Sequence, residues 1–278
     1  MKRISILGSG WLGLPLAIEL SKANFHVKAS SRSQERLTQL RKAGIEAHAY
    51  DIEVLDSRKN THENDFLQAD ILIINITSKN VAAFTQLISE IENSTIQQVL
   101  FISSTSVYKN SAKLDSAAVT EDDTAALVEC PLLKIEDLFQ NNSNFKTSII
   151  RFSGLIGYQR HPGRFFLATT DDDAVYCKTI KNPDARVNMI HRDDCIGIIN
   201  AVIKQNCWDE VFNACASQHP TRREFYQAAL NHLGDHEPVF SGQTDSIGKI
   251  ISNEKVKEQL GYSFIHDDLL DFSKMKFS

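Results

Sequence analysis

The chain has 278 residues, 42% of them apolar, and a formal charge of −5, which is enough to bury the core of one large globular domain or two unequal ones. The negative balance, with no Lys/Arg block, leaves no electrostatic footprint for nucleic acid or an anionic membrane, so both are excluded as partners. Five scattered cysteines without a CxxC pair argue against a disulfide framework and against zinc, and point to reduced thiols in a cytoplasmic protein.

Residues 1 to 23, MKRISILGSGWLGLPLAIELSKA, imitate a secretory signal, but Glu19 and three glycines interrupt the apolar stretch. No run approaches the length of about 20 residues that crosses a bilayer. The stretch reads instead as a strand (Arg3 to Leu7), a turn, and a helix from Leu14 with apolar residues at helical spacing. The turn, Gly8-Ser9-Gly10-Trp11-Leu12-Gly13, is a complete GxGxxG in the strand-helix context that gives the motif meaning. Gly8 permits the tight turn, Gly10 lets backbone N–H groups approach a pyrophosphate, and Gly13 lets helix and strand pack closely. The phosphates then rest on the positive end of the helix. Pro15 falls in the first helical turn, where a missing N–H costs little.

A second strand, Phe25 to Ser30, ends where NAD-selective proteins place an acidic residue on the adenine ribose, about 20 residues after the glycines. This chain has Ser30-Ser31-Arg32-Ser33 there. With no carboxylate to repel a 2′-phosphate and with Arg32 and Arg36 to pair with it, the local chemistry favours NADP over NAD. A competing reading has Ser33 capping the next helix and Arg32 solvated. Asp51, after the third strand, joins Ser31, Arg32 and Ser33 as a cofactor residue.

Alternation continues with strands at 46 to 50, 69 to 77 and 97 to 104, a helix at 80 to 94, and a sixth strand at 147 to 152. Near-continuous apolar strands between amphipathic helices predict a doubly wound α/β fold of Rossmann type, with a parallel sheet covered on both faces. Beyond residue 156 the rhythm loosens. The expected organisation is a dinucleotide-binding domain at 1–156 and a smaller substrate-covering region at 157–278, some of whose strands return to the sheet. The acidic triplet Asp171 to Asp173 reads as a solvated loop. Thr221 to Glu224 is a capping box, Asn253 opens a helix that Gly261 ends, and Asp193-Asp194 caps the helix after His191. After the sixth strand, Arg160, His161 and Arg164 in RHPGR form a second polar concentration. The guanidinium groups suit bidentate capture of a carboxylate or phosphate, and His161 can move a proton near neutral pH. Alternatively the segment is a solvated basic loop around a Pro-Gly turn.

Taken together, GSGWLGLPLA (8 to 17), SSTSVY (103 to 108), RFSGLIGYQRHPGR (151 to 164), VNMIHRDD (187 to 194) and ISNEKVKEQLGYSF (251 to 264) resemble the extended short-chain dehydrogenase/reductases, the group of NDP-sugar epimerases and dehydratases, and within it an atypical YeeZ-like branch. The resemblance implies a sheet of about seven strands, a nicotinamide cofactor, and a small-molecule substrate at the carboxyl edge of the sheet. It also implies that Ser104 hydrogen-bonds the substrate, although that serine could instead satisfy backbone groups at the strand end. Arg186 stands one residue away from an arginine of sugar-nucleotide enzymes, which weakens a nucleoside diphosphate assignment.

In that family a tyrosine exchanges a proton with the substrate and a lysine four residues on binds the ribose. One register puts the pair at Cys130 and Lys134 in ECPLLK; another, aligning Glu136 with the family's acidic residue, puts it at Val128 and Leu132. Neither supplies a tyrosine. Cys130 has a thiol pKa nearer neutrality than a phenol, but it is shorter by a ring, and Pro131 makes it a helix cap. Tyr108, Tyr158 and His161 are the alternative proton donors. The sequence thus supports an NADP-dependent oxidoreductase or epimerase-like enzyme on a small polar, sugar-derived substrate. A second reading is a catalytically silent NADP-binding sensor or scaffold. The third, a UDP-sugar dehydrogenase suggested by GSGWLGLPLA alone, ranks last. A homodimer is compatible with the sequence, which carries no feature that sets an oligomeric state.

Overall fold

The computed structural model describes residues 1–54, 65–110, 117–169, 175–234, 237–242 and 248–277. The triplet Asp171 to Asp173 lies outside these residues. In chain order the elements are β1 (Arg3–Leu7), α1 (Gly13–Lys22), β2 (His26–Ser30), α2 (Gln34–Lys42), β3 (Glu46–His48), β4 (Ile71–Ile74), α3 (Val81–Glu92), β5 (Gln98–Ser104), α4 (Pro131–Gln140) and β6 (Lys146–Phe152). They continue with β7 (Gly154–Ile156), β8 (Leu167–Thr169), β9 (Val175–Cys177), β10 (Met189–His191), α5 (Arg192–Gln205), β11 (Val211–Ala214), α6 (Arg222–Gly234) and α7 (Glu254–Leu260).

Seven strands form the central sheet in the order β11-β6-β5-β4-β1-β2-β3. β1 lies between β2 and β4 and pairs in parallel with both, Ile4 opposite Val27 on one side and Ile71 on the other. This is the doubly wound Rossmann architecture that the alternation of elements predicts. Strand order reverses at β1, and ligands of such sheets bind outside the carboxyl ends of the strands at that reversal.

The strands are apolar because both faces are covered. Every residue of β4 is fully buried, as a central parallel strand requires. On one face α3 contributes Phe84, Leu87, Ile88 and Ile91 at helical spacing, and α4 contributes Phe139. Phe139 stacks on Phe101 of β5 at 5.4 Å between ring centroids, with Phe84 edge-on to Phe101 at 5.8 Å. Truncating one such ring to alanine typically costs about 3–5 kcal/mol.

The chain divides into two compact units. One comprises residues 1–107, 128–151 and 200–212; the other comprises 108–127, 152–199 and 213–278. In the second unit β7 pairs in parallel with β10, β8 pairs antiparallel with β9, and Ile156, Phe225, Leu269 and Phe272 lie in the core.

Two helix starts differ from expectation. Asn253 stands at the N-cap of α7, but its side chain makes no cap bond; it is buried and donates to the Cys215 carbonyl and the Ser217 hydroxyl. Asp193 and Asp194 lie inside the first turn of α5, where the Asp193 N–H donates to Nδ1 of His191 at 3.2 Å. The carboxylates go elsewhere, Asp194 accepting from Tyr262 and from the amides of Ile265 and His266. The capping box at Thr221 and Glu224, the αL cap at Gly261 and the Ser33 cap on α2 are present.

Candidate functional site

At the strand-order reversal, a cavity of about 440 Å³ is lined by the glycine turn (Gly8, Ser9, Gly10), the end of β2 (Ser30, Ser31, Arg32) and two loops, Tyr50–Glu53 and Asn75–Ser78. Each glycine has its own reason. Gly8 has φ +98°, and a Cβ there would lie 2.4 Å from the Asn75 carbonyl oxygen; at Gly13 it would lie 2.0 Å from the Gly8 carbonyl oxygen. At Gly10 a Cβ would meet nothing within 4 Å. Packing therefore demands Gly8 and Gly13, whereas the missing side chain of Gly10 leaves open space. Leu12, at the N-cap of α1, makes no side-chain cap bond and buries its side chain in the core. An uncapped helix start beside an open glycine suits a pyrophosphate.

Around the turn, the Ser9 hydroxyl and N–H both go to the Ser30 carbonyl, so this serine shapes the turn with its side chain turned inward. Trp11 is partly exposed. The Ser31 hydroxyl accepts from the Ser33 N–H at 3.1 Å. Arg32 is exposed, with Nη1 3.7 Å from Oδ2 of Asp51, and Arg36 bonds Gln39. Ser31, Arg32, Ser33 and Arg36 with Ser9 and Gly10 line an adjoining open recess. Three lining residues escape a motif search. Asn75 donates to the Gly8 carbonyl at 3.1 Å. Glu53 accepts from Ser78 at 2.5 Å and from Asn80 at 2.6 Å. Those bonds, and then the Arg32 charge, hold the Glu53 carboxyl below its usual pKa.

At the carboxyl end of β5 the two serines point differently. Ser103 is buried and donates to Glu136 of α4, which is fully buried and grips Arg151 of β6 through Nε (3.0 Å) and Nη2 (2.6 Å). Ser104 is half-buried, and its hydroxyl accepts the Ser106 N–H at 3.1 Å. Cys130 is the N-cap of α4 without a side-chain cap bond, Pro131 following at the first helical position. Lys134 forms an exposed ion pair with Glu129 at 2.9 Å, while Leu132 packs against the core.

In the second unit, each alternative proton donor has a partner. Tyr108 is buried and donates to Oδ1 of Asn213 at 2.9 Å. Tyr158 donates to Oδ1 of Asp193 at 2.8 Å, with the Arg192 guanidinium 3.4 Å from its ring centroid. Burial and the Asp193 carboxylate push its phenol pKa up. Asp193 itself falls to about 2: burial opposes this, and bonds from His266 and Tyr158 override it. His161 is buried; its Nδ1 accepts the Gly163 N–H at 3.1 Å and its Nε2 lies 3.0 Å from Nδ1 of His232. Burial, then the neighbouring His232 and Arg164, lowers its pKa to about 4. Both ring nitrogens are engaged within the unit, so His161 has no lone pair turned outward for a substrate. Arg160 and Arg164 are exposed beside it, and Arg186 donates to the His219 carbonyl.

Residues 3–132 match the family described as the NAD binding domain of 6-phosphogluconate dehydrogenase. Over 279 residues the sequence is 30% identical to Protein YeeZ of Escherichia coli (strain K12), a span covering 97% of this chain and 98% of that protein. The chain belongs to the family of Protein YeeZ. Solved structures of the same fold include a UDP-glucuronic acid 4-epimerase from Bacillus cereus in complex with UDP-glucuronic acid and NAD (TM-score 0.73, 17% identity, 99% of this chain and 97% of that one). Another is a UDP-glucose 4-epimerase with UDP-glucose from Thermotoga maritima (TM-score 0.71, 13% identity, 96% of each chain). This YeeZ-like chain therefore carries a nicotinamide-dinucleotide-binding Rossmann domain. Among the described residues, no helix is long and apolar enough to cross a membrane.

Proposed function

We propose that this protein is an NADP-dependent oxidoreductase or epimerase-like enzyme acting on a small polar, sugar-derived substrate. The observation that carries the proposal is the cavity wall: Gly10 opens onto free space, and the end of β2 offers Ser31 and Arg32 where a carboxylate would repel a 2′-phosphate. Gly10 admits the pyrophosphate to a turn that Gly8 and Gly13 allow to close, and Trp11 and Leu12 contribute the chain that starts α1. Ser104, Arg160 and Arg164 are the substrate contacts, and Cys130 marks the helix start where one of the two registers puts the family's tyrosine. His161 supports this set by capping the turn that carries Arg164.

Titrating NADPH and NADH while following nicotinamide fluorescence tests the proposal. NADPH is expected to bind about ten- to hundredfold more tightly, the worth of one charge-assisted hydrogen bond; equal affinities would sink the NADP assignment.

A catalytically silent NADP sensor or scaffold is the second reading, supported by the exposed Lys134–Glu129 pair and by Cys130 at a helix cap. A panel of sugars and nucleotide sugars, followed by NADPH oxidation, separates the two. Turnover that falls with Ser104→Ala favours chemistry; no turnover with any of them favours silence.

A further inference from the structure

The second unit holds a lysine that the assignments above leave unused. Asn188 fixes its backbone from both sides, donating through Nδ2 to the Lys249 carbonyl at 2.8 Å and accepting through Oδ1 from the Ile251 N–H at 2.9 Å. The Lys249 ammonium is thereby held against the Tyr108 carbonyl, to which it donates at 2.6 Å. Tyr108 ends the SSTSVY segment that carries Ser104.

Lys249 is half-buried, and burial lowers its pKa. An ammonium has three donors, and one is spent on Tyr108. Among the described residues no carboxylate forms an ion pair with it. A partly desolvated cation without a counter-charge costs stability, and such groups concentrate where a ligand supplies the opposite charge. A second polar group is left open in the same unit: the Ser153 hydroxyl is 7% exposed and has no hydrogen-bond partner. Ser153 precedes Gly154, whose N–H bonds the carbonyl of the same Asn188 at 3.0 Å.

We propose that Lys249, held by Asn188 and the Tyr108 carbonyl, receives an oxyanion, the carboxylate or phosphate group of the substrate. The word substrate rests on the function proposed above; binding of the anion does not. Lys249 discriminates by charge, so a neutral sugar of the same shape gains nothing from it.

Amine-reactive labelling of the NADP-treated protein, quantified for the Lys249 peptide by mass spectrometry, tests this. D-glucuronate and D-glucose 6-phosphate are the probes and D-glucose is the neutral control. With an affinity near 1 mM, a probe at about 10 mM lowers Lys249 labelling roughly tenfold relative to exposed lysines. Whichever anion protects identifies the group as carboxylate or phosphate. In calorimetry, Lys249→Arg retains that anion's binding and Lys249→Met loses it. Unchanged labelling with both anions, equal protection by D-glucose, or full binding by a folded Lys249→Met protein would overturn the proposal. Protection of Lys249 in a protein that shows no NADP binding would uphold it while removing the cofactor assignment.

Discussion

Arg32 and Asp51 face each other across the rim of the dinucleotide cavity, Nη1 to Oδ2, at 3.7 Å. The guanidinium that suits a 2′-phosphate therefore already has an anion beside it, and Glu53 adds a second negative charge to the same wall. Arg32 is exposed, so this pair is weak and a dianionic phosphate can displace Asp51. Arg32→Ala should weaken NADPH binding about tenfold and leave NADH unchanged, whereas Asp51→Asn should tighten NADPH by a few-fold. Equilibrium titration of both nucleotides against both variants reads this. A parallel loss of NADPH and NADH in Arg32→Ala would mean that the arginine does not sense the phosphate.

The three glycines of the turn should separate by substitution. Gly13→Ala pushes a methyl into the Gly8 carbonyl, and Gly8→Ala strains a backbone at φ +98° as well as crowding Asn75; both should lower the melting temperature. Gly10→Ala meets nothing, so its melting temperature should match the parent. Its nucleotide binding should nevertheless fall by at least about tenfold, because the methyl occupies space the pyrophosphate needs. Normal NADPH affinity in Gly10→Ala would remove the pyrophosphate from that position.

The glycine turn was legible because its requirements are local: strand, turn and helix adjoin in the chain, and the spacing states the geometry. Glu53, Asn75 and Ser78 were not: Asn75 falls inside the stretch 69 to 77 that reads as strand but follows the end of β4, and Glu53 and Ser78 reach the cavity from loops whose sequences carry no periodic signal. Lys249 meets Tyr108 across 141 residues, a separation that no motif bridges. At α5 the residue types alone misled. Asp193 and Asp194 are good capping residues, but their carboxylates are claimed by Tyr158, Tyr262 and the 265–266 amides, and His191 takes the capping role. ECPLLK, by contrast, is legible as a helix start, because Pro131 restricts Cys130 whatever packs around it.

Glu136 and Arg151 form an ion pair buried between α4 and β6, with Ser103 donating to the same carboxylate. Removing the Glu136 charge weakens the buried pairing of the Arg151 guanidinium, so Glu136→Gln should cost about 3–5 kcal/mol in urea unfolding. Replacing both by methionine removes the buried guanidinium as well, and the double variant should recover most of that loss. A Glu136→Gln protein as stable as the parent would mean that water reaches Arg151.

Acid should loosen the second unit through its buried histidines. His161 and His191 both sit at about 4, below the value of about 6.5 they take in an unfolded chain. Between those values the unfolded chain binds protons that the folded one refuses, so their contribution is intact above about 6.5 and declines as pH falls toward 4. Burial raises Asp194 and Glu121, which act in the opposite sense as pH falls, so a variant isolates the histidine better than the parent's slope does. The groups set against His161 are His232, Arg164 and the rings of Phe272 and Phe277. His161→Asn keeps an acceptor for the Gly163 amide and removes the titration. Its urea midpoint should lie below the parent's at pH 7.5, and the two should converge by pH about 4.5. A constant gap across that range would show that His161 is already protonated in the folded protein or contributes by packing alone.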